Sequence, residues 1–558
     1  MKKKLAKLLA AVLAVSLFAT GCGGSGGSGG SGGGSAEESA SSGEDVNELH
    51  VQRAGTPETI DPALNSTSDG SNIIIHLSEG LLKENQDNET TEGIAKSWEV
   101  SDDGLTYTFH LRDGLKWSDG SDLTADDLVY TWKRVADPMT AAPYAYDILN
   151  YVKGWDEATD AENPNVDALG VSAPDPQTFV VELSVPCTFF DKISGFAVLM
   201  PVKQEAVETG DDWATNPATY ISNGPYKLVE YTPGDVIVME KNENYWDADS
   251  ITFDRITWHL IEDDNAAYSA FQDGTLDFCF AVPTEEIPGL DGSEEFHTEA
   301  QMGTYYINFN NEKEPFDDPK VRKALSLAVD RDYVANTIML GTYSPAKNFV
   351  GPGVSDAKEG SSFEEETTKK YGDHFNVDDY EADLEEAKKL LAEAGYPDGE
   401  GFPTIKYATN DTAFHKPVAE YLQSVGKDEL GIDMEIDIQE WNTFSADRRA
   451  GNFDVARNGW VYDWDDPSNM INLLETSNGN NDGRYSNPEF DKLVEEARNT
   501  TDKAEHYEKL HEAEQVMLDD AGCAPLAYYN DFWMQKTNLK GTWHSPYGYY
   551  YFMYGSFQ

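Results

Sequence analysis

Short runs of alternating or β-branched apolar residues are interleaved with longer stretches in which apolar residues recur every three or four positions. Thr106-Tyr-Thr-Phe-His-Leu111 has period two, and Phe179-Val-Val-Glu-Leu183 and Val236-Ile-Val-Met239 are rich in β-branched residues, so all three predict strands. Helical spacing predicts helices over Ala125 to Ala136, Pro319 to Met339, Tyr380 to Ala394 and Pro488 to Asp520. In Tyr380 to Ala394, Leu384, Ala387, Leu390, Leu391 and Ala394 mark one buried face, and the acids mark a solvated one. Strands and helices alternate over the whole length without an internal repeat, which predicts a mixed α/β architecture.

The first 45 residues break this pattern. A cationic start with Lys2, Lys3, Lys4 and Lys7, then an apolar run from Leu8 to Ala19, reads as a secretory signal over 1–21. It is too short to be a comfortable membrane span. Phe18-Ala-Thr-Gly-Cys22 resembles a bacterial lipobox, which implies lipidation of Cys22; two or more acyl chains would anchor the protein stably. Residues 22–48 are Gly/Ser-rich, then small and acidic, and read as a flexible linker. The G-x-S-x-G pattern at Gly23 to Gly27 lies in this linker, without the strand and helix a nucleophile elbow needs.

Charge narrows the function. The 558 residues carry 41 Lys+Arg against 101 Asp+Glu, a formal charge of −60, which excludes a nucleic-acid binder. Disorder is excluded as well, because 12 Trp, 29 Tyr and 24 Phe are ample for cores in two to four lobes. Beyond Cys22 only Cys187, Cys279 and Cys523 remain, which read as buried thiols, although one disulfide stays open.

Glu79-Gly-Leu-Leu82, Gly93-Ile-Ala-Lys-Ser-Trp98, Thr106 to Arg112, Gly114-Leu-Lys-Trp-Ser-Asp-Gly120 and Thr124-Ala-Asp-Asp127 resemble the signature region of family 5 solute-binding proteins of ABC importers. Ser222-Asn-Gly-Pro-Tyr-Lys-Leu228, Asn244-Tyr-Trp246, Phe316 to Arg322, Ala328-Val-Asp-Arg331 and Glu385 to Gly395 extend the resemblance over nearly all of 49–552. Phe453-Asp-Val-Ala-Arg-Asn-Gly-Trp460 and Val461-Tyr-Asp-Trp-Asp-Asp-Pro467 are most similar to the oligopeptide binders. The resemblance implies a periplasmic-binding-protein-like class II clamp of two lobes with an additional inserted lobe, closing on a hinge. Its expected parts are lobe I over 49–78, 203–302 and 531–558, inserted lobe II over 79–202, and lobe III over 303–530. Ligands would be short peptides held in extended form by main-chain hydrogen bonds, with hydrated pockets for varied side chains.

The same resemblance assigns roles. Asp463 would meet the peptide's amino end, because a buried ammonium needs an anion. Gly459 and Val461 would offer main-chain groups, and Trp460 and Trp441 would line side-chain pockets. Arg457, Arg448 and His415 would meet the carboxylate end, for which an Arg fork is well shaped. Tyr144 and Tyr146 would reach the ligand from the inserted lobe. Asp465 and Asp466 read as solvated loop charge. Met339 stands where some members have a lysine, Ser66 where an acid helps hold the amine, and Gly303 and Val461 where some carry a disulfide.

No cofactor and no metal are expected. Asn478 to Glu489 only approximates a calcium loop, and His506 and His511 read as the exposed side of a helix. The expected protein is a monomeric, non-enzymatic receptor outside the cytoplasm of a Gram-positive bacterium. It would be lipid-tethered to the membrane and would deliver peptides to an ABC permease and its ATPase subunits. The alternatives left open are another family 5 solute, such as a dipeptide, an opine, a sugar or a metal chelate, and a secreted hydrolase. The hydrolase lacks a recognisable nucleophile or metal constellation.

Overall fold

A computed structural model of the chain describes residues 46–558 apart from 161, 291, 359 and 413. The signal peptide, Cys22 and all but the last three residues of the linker therefore lie outside the described residues. Fourteen strands matter for the site: β1 Glu48–Arg53, β2 Ala95–Val100, β3 Thr106–Leu111, β4 Val171–Asp175, β5 Thr178–Glu182, β6 Tyr226–Thr232, β7 Val236–Lys241, β8 Arg255–Leu260, β9 Phe278–Cys279, β10 Phe296–Phe309, β11 Ile405–Asn410, β12 Met434–Gln439, β13 Val455–Val461 and β14 Cys523–Gln535. One large mixed sheet runs β12-β11-β13-β10-β14-β9-β1-β8-β7-β6, with Ser344–Pro345 added against β14. A separate four-stranded sheet runs β2-β3-β5-β4. The three strands expected from local pattern are present, and the predicted alternation of β3 buries Tyr107, Phe109 and Leu111.

The architecture is a two-lobed α/β clamp. One core gathers Leu49, Ile237, Ile256 and Trp258 with the C-terminal Tyr550 and Phe552. The opposite core is built from residues of 302–547, and a third surrounds the four-stranded sheet. Only β10 and β14 run through both halves of the large sheet. Phe296 to Ala300 pair with Met534 to Asn530, and Thr304 to Asn308 pair with Tyr528 to Cys523, with the register shifting between Ala300 and Thr304. Such a shift interrupts the ladder and bends the strand, and a second one falls between Tyr305 and Tyr306.

The helix Ala125–Ala136 spans the expected residues. Asp127 accepts a 2.8 Å hydrogen bond from the backbone of its N-cap Thr124, and Leu128, Trp132 and Val135 are buried. Tyr380–Glu393 likewise buries Leu384, Ala387 and Leu391. Two expected helices are broken. Pro319–Leu327 stops before a separate π-helical turn, Tyr333–Ile338. Pro488–Arg498 ends at Asn499, and Asp502 caps a new helix, Lys503–Asp519, by accepting from the backbone of Ala504 at 2.9 Å. Asn499-Thr-Thr-Asp502 favours side-chain to backbone bonds over continued helix.

His506 and His511 are not on an exposed face. Both are buried, His506 against Asp466 at 3.1 Å and His511 against Asp356 at 2.8 Å. Helical periodicity does not reveal this, because the helix is packed on more than one side and also buries Tyr507, Leu510, Glu514 and Met517. Asp465 and Asp466 are likewise buried rather than solvated, with Asp465 2.8 Å from Lys192. Cys187, Cys279 and Cys523 are buried free thiols.

Candidate functional site

The site is built around β13 and the turn that follows it. Period two places Arg457, Gly459 and Val461 on one face of β13, opposite Ile307, Tyr305 and Gly303 of β10. Glycine at 459 makes room for Tyr529, since a Cβ there would lie 2.1 Å from its Oη and force it to shift. Gly303 and Val461, the positions of a disulfide in some similar proteins, sit directly opposite in register.

Beyond Val461 the chain turns and presents Asp463. Tyr144 Oη donates to its Oδ1 at 3.0 Å, and Asn469 Nδ2 donates to its Oδ2 at 3.4 Å. Asn469 Oδ1 accepts from the Asp463 backbone at 3.2 Å and from Trp460 Nε1 at 3.0 Å, so one amide fixes the acid and the indole together. Among the described residues no cation pairs with Asp463. Burial pushes its carboxyl up to about 7 against the pull of these hydrogen bonds, and Asp147 adds to the rise. Asp463 in turn, with burial, holds the Tyr144 phenol well above its ordinary value, so Tyr144 stays a donor.

Three cavities meet at this carboxylate. One of about 270 Å³ is lined by Tyr144, Gly459, Trp460, Val461 and Asp463, with Ser66 on its wall. A second, of about 310 Å³, is lined by Tyr146, Asp147, Trp460, Asp463, Asn469 and Arg498. The third, about 70 Å³, lies among Glu84, Phe196, Asp463, Trp464 and Tyr549. Asp463, Gly459, Val461, Trp460, Tyr144 and Tyr146, all singled out from the sequence, thus share one cavity system.

The expected carboxylate-binding residues lie apart from these three cavities. Arg457 stacks 5.3 Å over the Tyr305 ring and donates from Nη2 to Tyr529 Oη at 3.3 Å, but no described acid pairs with it and its Nε is buried without a partner. His415, at the start of the helix His415–Leu430, is buried against Tyr305. Burial and then Arg457 hold its imidazole down at about 3, so it is neutral at physiological pH. Arg448 differs: it lies 2.8 Å from Asp482 and is already charge-paired. The same contact occupies Asp482, one of the two acids of the calcium-like loop. Trp441 is 49% exposed, contacts Phe444 and lines none of the three cavities. Met339 is fully buried in the 302–547 core. Among the described residues no group of three or more His, Cys, Asp or Glu could hold a metal, and no helix is long and apolar enough to cross a membrane.

Three contributors escaped sequence reading. Asn469 orients Asp463, Tyr529 bridges Gly459 and Arg457, and Asp147 charges the second cavity. Only Asn469 had a usable signal, six residues beyond Asp463 in a turn-forming Pro467-Ser-Asn469. Tyr529 and Asp147 are brought in by folding from distant segments.

The profile of the bacterial extracellular solute-binding proteins, family 5 Middle, matches residues 89–482. The oligopeptide-binding protein OppA of Bacillus subtilis is 34% identical over 503 residues, covering 88% of this chain and 90% of its own. The structure of the Escherichia coli murein tripeptide binding protein MppA superposes with a TM-score of 0.77 at 30% identity, covering 91% of this chain and 99% of that one. Haemophilus influenzae OppA in complex with RPPGFSPFR gives 0.74 at 30% identity, with the same coverage.

Proposed function

Because the chain belongs to the bacterial extracellular solute-binding proteins of family 5, which are binding proteins and not enzymes, we propose that it captures short oligopeptides between its lobes and delivers them to an ABC permease. The observation that carries this reading is Asp463, a half-buried carboxylate at the junction of three cavities with no cation beside it among the described residues. An acid so placed has lost much of its hydration and gained no counter-charge, and a peptide's terminal ammonium supplies both charge and donors. The exposed main chain of β13 would pair with the peptide backbone without regard to sequence. Arg457, set among tyrosines and with no acid beside it among the described residues, suits a carboxylate.

In this reading lobe I comprises 49–78, 203–302 and 531–558, lobe II is 79–202 and lobe III is 303–530. Cys22 carries the lipid that tethers the chain outside the cytoplasm, and residues 22–48 are the leash. Native mass spectrometry of the purified protein tests the ligand class. Co-purified masses that fragment as peptides of a few residues support it, whereas a non-peptide mass released on denaturation overturns it.

A further inference from the structure

The 310 Å³ cavity has a chemical character of its own. Its wall carries four acids and one cation, Arg498. Arg498 is consumed by Glu475, with Nη2 2.6 Å from Oε2, which leaves Asp147 and Asp156 besides Asp463. Asp147, in the helix Ala145–Leu149, has no cation or hydrogen-bond donor among the described residues, and burial pushes its carboxyl up to about 6.

We infer that this cavity takes a basic side chain, lysine or arginine, from the amino-terminal residue of the bound peptide, with Asp147 as the counter-charge. This rests on the reading that the peptide's amine meets Asp463, since Asp463 lies on the wall of the same cavity and the first side chain branches one bond from that amine. An ammonium brings three donors and a guanidinium five, enough for both carboxylate oxygens of Asp147. A neutral first side chain leaves Asp147 enclosed without a counter-charge, and an acidic one adds repulsion from Asp147 and Asp463.

The test is calorimetry with Lys-Ala-Ala-Ala, its norleucine analogue, which keeps the length and loses the charge, and Glu-Ala-Ala-Ala. We expect the lysine peptide to bind about tenfold more tightly than the norleucine peptide, with the glutamate peptide weakest. In Asp147→Asn the lysine-to-norleucine ratio should fall toward one. If all three bind the wild type within about twofold of one another, the charge assignment is overturned while the peptide reading stands. If none binds, the reading on which it rests falls with it. The wild-type comparison needs no variant and so does not depend on how Asp147→Asn folds.

Discussion

Replacing Asp463 with asparagine should weaken peptide binding and strengthen the ligand-free fold at once. The folded carboxyl sits at about 7 against an ordinary 3.8. A carboxyl raised in this way favours the folded state below pH 3.8, and that contribution is lost as pH rises through 7. At pH 8 the full gap of about three pH units applies, so ionised Asp463 costs the empty protein about 4 kcal/mol. Asparagine removes that cost and still accepts from Tyr144, but it sets an amide donor against Asn469 Nδ2, the 3.4 Å contact, at about 1 kcal/mol. The net gain is about 3 kcal/mol at pH 8, and it should vanish near pH 4, where the folded wild type is already protonated. Binding moves the other way: loss of the charge pair should cost about 3 kcal/mol, on the order of a hundredfold in Kd.

The assay is thermal unfolding of both proteins at pH 4 and pH 8, with calorimetry of a tetrapeptide at pH 8. Glu84 and Glu514, also raised to about 7, and Asp147 titrate in the same window, so the difference between variant and wild type is the informative quantity rather than either curve alone. A stability difference that is the same at both pH values, or an unchanged Kd, would refute the reasoning.

Two further outcomes test the rest of the site. Amidating the carboxyl end of peptides of three to five residues should weaken at least one length about tenfold, and Arg457→Gln should erase that difference; calorimetry of acid and amide pairs on both proteins decides it. Gly459→Ala drives a methyl into Tyr529 Oη and should destabilise the fold by about 1–3 kcal/mol. Tyr529→Phe should recover part of that loss in the double variant, and unfolding midpoints showing strict additivity would contradict the contact.

Much of this site was readable before folding because it is local in sequence. Seven residues, Arg457 to Asp463, contribute the strand face, the glycine, the indole and the acid, and a strand's period of two fixes which of them point together. What was not readable depends on distant partners. Arg448 looked free because Asp482, which neutralises it, is 34 residues away, and Asp147 acquires meaning only when folding brings the helix Ala145–Leu149 to the same cavity as Asn469 and Asn472. The His506 helix misled because periodicity reports one apolar face and is silent about a second face buried through charge pairs.

The net charge of −60 takes its meaning from the same distinction between paired and unpaired acids. Buried carboxylates elsewhere are answered within the protein: Asp61 by Arg134, Glu79 by Lys83, Asp356 by His511, Asp465 by Lys192, Asp466 by His506 and Asp482 by Arg448. Glu514 is satisfied differently, by the backbone amides of Phe349 and Val350 and by Thr367, and Glu84 by the hydroxyls of Ser545 and Tyr551. Asp463 and Asp147 differ in facing the 310 Å³ cavity: among the described residues neither has a cation, Asp463 is held by Tyr144 and Asn469, and Asp147 has no donor. Folding around two unanswered acids lowers stability, and a dicationic peptide end would return that energy as affinity. A binding site in an acidic protein is therefore marked less by its charge than by the counter-charge the fold leaves for the ligand to bring.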